Sequence, residues 1–79
     1  MPAGTRFAIG GVTRSSTVTV KAKSGTREAT ARFSGSELVG HRHARVRFLS
    51  ADNPASIVLV DDSGVRHRPL QVAALKVKS

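Results

Sequence analysis

The chain has 79 residues, of which 13 are Lys or Arg and 5 are Asp or Glu, so its formal net charge is +8. The absence of Cys excludes a disulfide scaffold and thiolate metal sites. No apolar stretch reaches the roughly 18 residues of a membrane span, and no secretory signal opens the chain, so we expect a cytoplasmic protein with no membrane partner. The basic excess favours a polyanionic partner.

The first fifteen residues mix apolar side chains with glycines. Residues 4–12 contain four apolar residues and three glycines, namely Phe7, Ala8, Ile9 and Val12 beside Gly4, Gly10 and Gly11. This composition predicts a flexible arm or an irregular first strand over residues 1–15. We expect a single small β-barrel domain over residues 16–79.

Alternation with period two is the dominant pattern from there onward. Residues 16–23 place Val18, Val20 and Ala22 on one face and Thr and Lys on the other. A turn at Ser24-Gly25 follows, and residues 28–33 alternate again, so the two runs predict a hairpin. Residues 37–40 are long enough for one helical turn only, and residues 45–49 predict a further strand.

The second half of the chain contains one continuous apolar run, residues 57–60 (IVLV). Such a run predicts a central strand that is covered on both faces. Residues 61–64 (DDSG) have the composition of a hairpin turn, and residues 65–68 predict its partner strand. Residues 70–77 fit either a final strand or a short helix.

Short strands separated by turn signals every eight to twelve residues, with no long helical pattern, predict an all-β fold. We expect a small SH3-like barrel of five or six short antiparallel strands, because closure removes exposed strand edges. An open sheet that closes only by dimerising is the alternative.

The positions of the basic residues are more informative than their number. The predicted strand phases place most of them on outward faces, where a curved sheet would gather them into one positive stripe. Arg outnumbers Lys by nine to four, and its planar guanidinium suits bidentate phosphate contacts. The predicted nucleic-acid-binding residues are therefore Lys21, Lys23, Arg32, Arg42, Arg45, Arg47, Arg66 and Arg68. A solvated face that only maintains solubility is the other interpretation.

The scarcity of aromatic residues restricts the kind of nucleic-acid binding. The chain has no Trp or Tyr, and Phe33 and Phe48 fall on inward strand positions, which is typical of core residues. Binding of single strands depends on aromatic stacking, so we expect contact with the phosphate backbone of a duplex or of structured RNA, with DNA favoured over RNA.

The remaining polar residues do not predict catalysis. His41 and His43 would share one face of an extended segment, and His67 could approach from a neighbouring strand, but the surrounding arginines disfavour a cation. Asp61 and Asp62 lie in a turn sequence where Asp has a structural use, and further oxygen ligands are missing. We therefore predict no metal site, no cofactor and no enzymatic activity.

Three segments carry a family resemblance. They are residues 31–40 (ARFSGSELVG), Arg45-Val46-Arg47-Phe48, and residues 52–64 (DNPASIVLVDDSG). Over residues 28–72 their order resembles the C-terminal SH3-like β-barrel domain of Mu-type transposases. Retroviral-integrase C-terminal barrels and KOW or Tudor-like barrels are similar in pattern. Residues 72–75 (VAAL) also resemble the end of the plasmid-encoded SH3-like dihydrofolate reductases.

The resemblance to the transposase domain implies a non-catalytic module that contacts nucleic acid or a partner protein. The sequence departs from that family because it lacks the tyrosine near the first turn and an RNase H-like domain with its acidic triad. The reductase active-site segment Val-Gln-Ile-Tyr is also missing, so that activity is not implied.

Two functional hypotheses follow. The first is a nucleic-acid-binding module that uses the eight basic residues above. The second is a structural or interaction protein, for example an assembly subunit, which forms a homo-oligomer and docks onto a protein partner. In a chain of this length, the stabilisation from burying apolar surface barely offsets the loss of conformational entropy on folding. This marginal stability favours association with a partner under either hypothesis.

Overall fold

The computed structural model describes residues 3–25, 27–50 and 56–76. These ranges contain seven β-strands and one turn of 3-10 helix at Gly35–Glu37, and no α-helix. The strands are β1 (Arg6–Ala8), β2 (Thr17–Ser24), β3 (Arg27–Ser34), β4 (His43–Phe48), β5 (Ile57–Asp61), β6 (Arg66–His67) and β7 (Gln71–Lys76). Within the described ranges, no helix is long and apolar enough to cross a membrane.

The strands form two antiparallel sheets. One sheet has four strands in the order β1-β4-β5-β6, and the other has three in the order β2-β3-β7. The prediction of a small all-β, barrel-like fold is confirmed, with seven strands where five or six were expected. The segment 70–77, which fitted strand or helix, is a strand at residues 71–76 and pairs with β3 through Ala31 and Val72.

Hairpins and alternation explain the local structure. Strands β2 and β3 pair in continuous register from Thr17 with Ser34 to Ser24 with Arg27, around a turn in which Gly25 has a φ of +63°. This left-handed conformation favours glycine, because glycine has no Cβ that would clash with the backbone. Within residues 1–15, strand β1 pairs with β4, so this part of the N-terminal segment is built into a sheet.

The core lies between the inner faces of the two sheets. Phe33, Val46 and Leu59 are fully buried there, together with Leu38 from the turn that follows the 3-10 helix. Strand β5 is an inner strand, and its first three residues, Ile57 to Leu59, are all buried. Val60 is half-buried and lines a cleft on the outer face, so the expected cover on both faces holds for residues 57–59 only. The sheets thereby hold their alternate residues, which include most of the arginines, toward solvent.

Candidate functional site

The outer face of the four-stranded sheet carries a row of arginines. The pairing places Arg6 opposite Arg45, Arg45 opposite Val60, and Val60 opposite Arg66. Residues that are paired in this way project from the same face, so three guanidinium groups stand in one line across β1, β4, β5 and β6. Arg47 lies two residues further along β4 on the same face, and all four arginines are exposed.

An open cleft of about 340 Å³ follows this face. Arg6, Arg45 and Arg47 line it, and Asp61 and Asp62 line the same cleft. The remaining lining residues are His43, Ala44, Val60 and Gly64. Basic side chains beside the apolar Ala44 and Val60 make a surface that suits a phosphate group attached to a less polar framework.

These arginines form no direct ion pair with an acid in the described part of the chain. In residues 3–25, 27–50 and 56–76, no carboxylate forms an ion pair with Arg6, Arg45, Arg47 or Arg66. A guanidinium group held on a strand without a protein partner keeps its donors available for an external anion. The face is therefore an unpaired positive surface.

The other predicted basic residues lie elsewhere, so the expected single stripe is corrected. The outer face of β2 and β3 carries Lys21, Lys23 and Arg32, which belong to the three-stranded sheet. The ammonium group of Lys23 is 3.4 Å from the carboxylate of Glu28, so it already has a partner. Arg42 and Arg68 are exposed in the segments before β4 and after β6.

Sequence reasoning missed Arg6, which the structure adds to Arg45, Arg47 and Arg66. The sequence feature that could have identified Arg6 is its position next to Phe7. Phe7 packs against the core, and in a strand the neighbouring residue then points outward. A strand of three residues is too short to display the pattern clearly. Pairing with β4 identifies it.

The phenylalanines do not form a stacking platform. Phe33 is fully buried, and Phe7 and Phe48 are partly buried against the core, as expected for inward strand positions. The chain has no other aromatic residue apart from its histidines. The exposed chemistry of the sheet face is therefore that of arginine and not of aromatic rings.

A second group of polar side chains lies where the β5–β6 hairpin meets the segment before β4. The buried carboxylate of Asp61 accepts hydrogen bonds at Oδ1 from the backbone N–H groups of Ser63 and Val65, at 2.8 and 3.0 Å. Its Oδ2 lies 2.7 Å from Nε2 of His67 and 3.3 Å from Nε2 of His41. One carboxylate thus joins the hairpin to two imidazoles.

Asp62 completes this group on the solvent side. Its Oδ1 is 2.6 Å from Nδ1 of His41, and its Oδ2 accepts a hydrogen bond of 3.0 Å from the backbone N–H of Arg42. Glu37 approaches from the 3-10 helix, with 3.8 Å between its Oε2 and Nδ1 of His67. We call Glu37, His41, Asp61, Asp62 and His67 the acidic–imidazole cluster.

Contacts within the cluster shift the pKa values of Asp61, Asp62 and His41. Burial acts to raise the pKa of Asp61, but the hydrogen bonds from His67, Val65 and Ser63 outweigh burial and hold that pKa below its usual value. The N–H of Arg42 and the imidazole of His41 lower the pKa of Asp62. The hydrogen bond to Asp62 raises the pKa of His41, so His41 favours the imidazolium form.

The cluster differs from the histidine group that the sequence indicated. His41 and His67 do approach each other, with ring centroids 6.4 Å apart, but His43 lies in β4 and lines the arginine cleft instead. Sequence reasoning placed Asp61 and Asp62 in a turn, and they also serve that role. It missed their contact with His41, because that contact spans about twenty residues of chain.

No protein-family model, no curated protein and no solved structure matches this chain. The assignment of function therefore depends on the chemistry of the row of arginines and of the acidic–imidazole cluster.

Proposed function

We propose that this protein is a non-catalytic nucleic-acid-binding module that contacts the phosphate backbone of duplex DNA through the outer face of its four-stranded sheet. The observation that supports this most strongly is the in-register row of Arg6, Arg45 and Arg66, with Arg47 beside it. We call these four residues the arginine face.

The chemistry of arginine favours phosphate as the ligand. Each guanidinium group offers five N–H donors in a planar fork, which matches two oxygens of one phosphate. Strands hold their side chains at fixed spacings, about 4.8 Å apart between neighbouring strands, so the row presents several forks together. Such contacts neutralise charge without reading base sequence.

Duplex DNA fits this surface better than a single strand does. Single-strand binders stack bases on exposed aromatic side chains, and all three phenylalanines here are buried or partly buried against the core. The resemblance of residues 28–72 to the C-terminal barrel of Mu-type transposases implies a non-catalytic module that contacts nucleic acid or a partner protein. Contacts to phosphate do not read the base sequence. We accordingly expect weak sequence preference.

The salt dependence of binding tests this function. Four neutralised phosphates predict a slope of about −3.6 for the logarithm of the association constant against the logarithm of salt concentration. The measurement is fluorescence anisotropy of a labelled duplex DNA of mixed sequence, with duplex RNA and single-stranded DNA of equal length in parallel. We expect the tightest binding to duplex DNA.

Two results would contradict the proposal. One is a dissociation constant weaker than about 100 μM for duplex DNA at low salt, and the other is an affinity that does not change with salt. Sedimentation at the same protein concentrations separates the second hypothesis from the first. A stable oligomer that is indifferent to DNA would favour an assembly protein.

A further inference from the structure

The acidic–imidazole cluster concentrates negative charge in a strongly basic chain. The chain has five acidic residues and a net charge of +8, yet Glu37, Asp61 and Asp62 meet at this one place together with two of the three histidines. Within residues 3–25, 27–50 and 56–76, the arginines of the four-stranded sheet form no ion pair with these carboxylates, although three of them line the same cleft as Asp61 and Asp62. A local excess of carboxylate beside imidazole favours a cation.

Three of these residues can reach a single ion. One nitrogen of His41, one oxygen of Asp61 and one oxygen of Asp62 lie within 4.8 Å of one another. Ligand atoms that each stand about 2.0–2.2 Å from zinc lie roughly 3.3–3.6 Å from one another in a tetrahedral site. The distance of 3.3 Å between Nε2 of His41 and Oδ2 of Asp61 already matches this spacing. The hydrogen bond of 2.6 Å between Nδ1 of His41 and Oδ1 of Asp62 must open for an ion to bind.

The surrounding groups hold the three residues in place. Two backbone N–H groups fix one oxygen of Asp61 and leave its Oδ2 facing the imidazoles. The N–H of Arg42 holds one oxygen of Asp62, and Nε2 of His67 lies 2.7 Å from Asp61. Partners that orient the ligands are typical of metal sites, and their loss lowers metal affinity.

From this geometry we propose that His41, Asp61 and Asp62 form a binding site for one Zn²⁺ ion, with His67 as a positioning residue. Nitrogen and oxygen ligands together favour Zn²⁺ over Ca²⁺ and Mg²⁺, which take oxygen ligands. The site lies where the β5–β6 hairpin meets the segment before β4, and the ion would link the two. Asp61 and Asp62 line the same open cleft as Arg6, Arg45 and Arg47, so the site borders the arginine face. The two sets of residues do not overlap, and each proposal has its own test.

Calorimetric titration of the chelator-treated full chain with ZnCl₂ alone tests the site. We expect one Zn²⁺ per chain with a dissociation constant of about 10 μM or tighter, and no comparable binding of Ca²⁺ or Mg²⁺. His41→Gln and Asp62→Asn should each weaken the binding of Zn²⁺ at least about tenfold. Both side chains are partly exposed, so the variants keep the buried Asp61 and its backbone contacts.

His43→Gln is the matched control, because His43 lines the same cleft as Asp61 and Asp62 but is not one of the three residues that can reach one ion. This variant should bind Zn²⁺ as the unchanged protein does. NMR spectra of the imidazole nitrogens give a second measurement, in which Zn²⁺ should shift the signals of His41 and leave those of His43 in place. Absence of stoichiometric Zn²⁺ binding, or Zn²⁺ binding that His41→Gln leaves unchanged, would overturn the proposal.

Discussion

At the scale of single residues, Asp61 links more parts of the molecule than any other side chain of the cluster. Its side chain is 1% exposed and accepts hydrogen bonds from Ser63, Val65 and His67. Replacement by Ala leaves two backbone N–H groups and an imidazole without their acceptor. Asp61→Ala should therefore lower the free energy of unfolding by about 2–4 kcal/mol, measured by urea denaturation.

Glu28→Ala is the matched control for Asp61→Ala. Glu28 is a carboxylate at a surface position, and within the described part of the chain it forms an ion pair with the exposed Lys23. Pairs of this kind contribute little, so the free energy of unfolding should change by less than about 0.5 kcal/mol. Equal effects of the two substitutions would contradict a structural role for the cluster.

The cluster also predicts how stability depends on pH. Asp61 and Asp62 have lowered pKa values, so their contribution is complete above the ordinary value of 3.8 and is lost as the pH falls below it. His41 has a raised pKa, so its contribution is complete below 6.5 and is lost as the pH rises through the folded-state value. The free energy of unfolding should be highest between about pH 4 and 6.5.

Urea denaturation from pH 2.5 to 9 in the presence of a chelator measures this profile. His41→Gln should remove the part of the decrease above pH 6.5 that comes from the imidazolium, and it should leave most of the decrease on the acid side. A profile above pH 6.5 that is the same in this variant and in the unchanged protein would assign the decrease to another group.

At the scale of elements, Gly35 shows how closely the 3-10 helix packs on the segment before β2. Its N–H donates a hydrogen bond of 2.8 Å to the carbonyl of Ser16. A Cβ at this position would lie 2.6 Å from that carbonyl oxygen and closer still to that of Thr13. Gly35→Ala should therefore lower the free energy of unfolding by about 2 kcal/mol or more, in the same urea assay.

Gly10→Ala is the control for Gly35→Ala. A Cβ at Gly10 would meet nothing within 4 Å, and Gly10 does not have a positive φ. This substitution should change the free energy of unfolding by less than about 0.5 kcal/mol. If Gly35→Ala were equally mild, the close approach of these two segments would be disproved.

Alternation predicted the strands well where they are long and half-buried. The bounds of β2 and β3 differ by one residue from those expected, since apolar and polar residues alternate through both. Residues 70–77 were undecided because two periodicities fit them, and pairing with β3 is what makes them a strand. The division into two sheets depends on long-range pairing, which local patterns do not contain.

The candidate site was predictable to the same extent. Arg45, Arg47 and Arg66 could be assigned to an outer face because their neighbours in sequence are apolar or inward. Their separation from Lys21 and Arg32 could not be predicted, since it follows from the order of strands. The cluster around Asp61 could not be predicted either, because Asp in a turn sequence already has a local structural role. Its partners are distant in sequence and become neighbours only in the folded chain.

At the scale of the whole molecule, the net charge of +8 is distributed over two outer faces. The arginine face has no acidic partner in the described part of the chain, whereas on the other sheet Lys23 pairs with Glu28. If DNA were attracted to the basic protein in general, the affinity would depend only on the total charge. If DNA binds at a defined face, the affinity should depend on which positive residues are removed.

Two double variants with the same net charge separate these possibilities. Arg45→Gln/Arg66→Gln and Lys21→Gln/Arg32→Gln each remove two positive charges, the first pair from the arginine face and the second from the other sheet. The measurement is duplex DNA affinity as a function of salt. The first variant should bind roughly tenfold more weakly at low salt, with a salt slope smaller by about 2, and the second should stay within about twofold of the unchanged protein. Equal losses of affinity in the two variants would contradict a binding site on the four-stranded sheet.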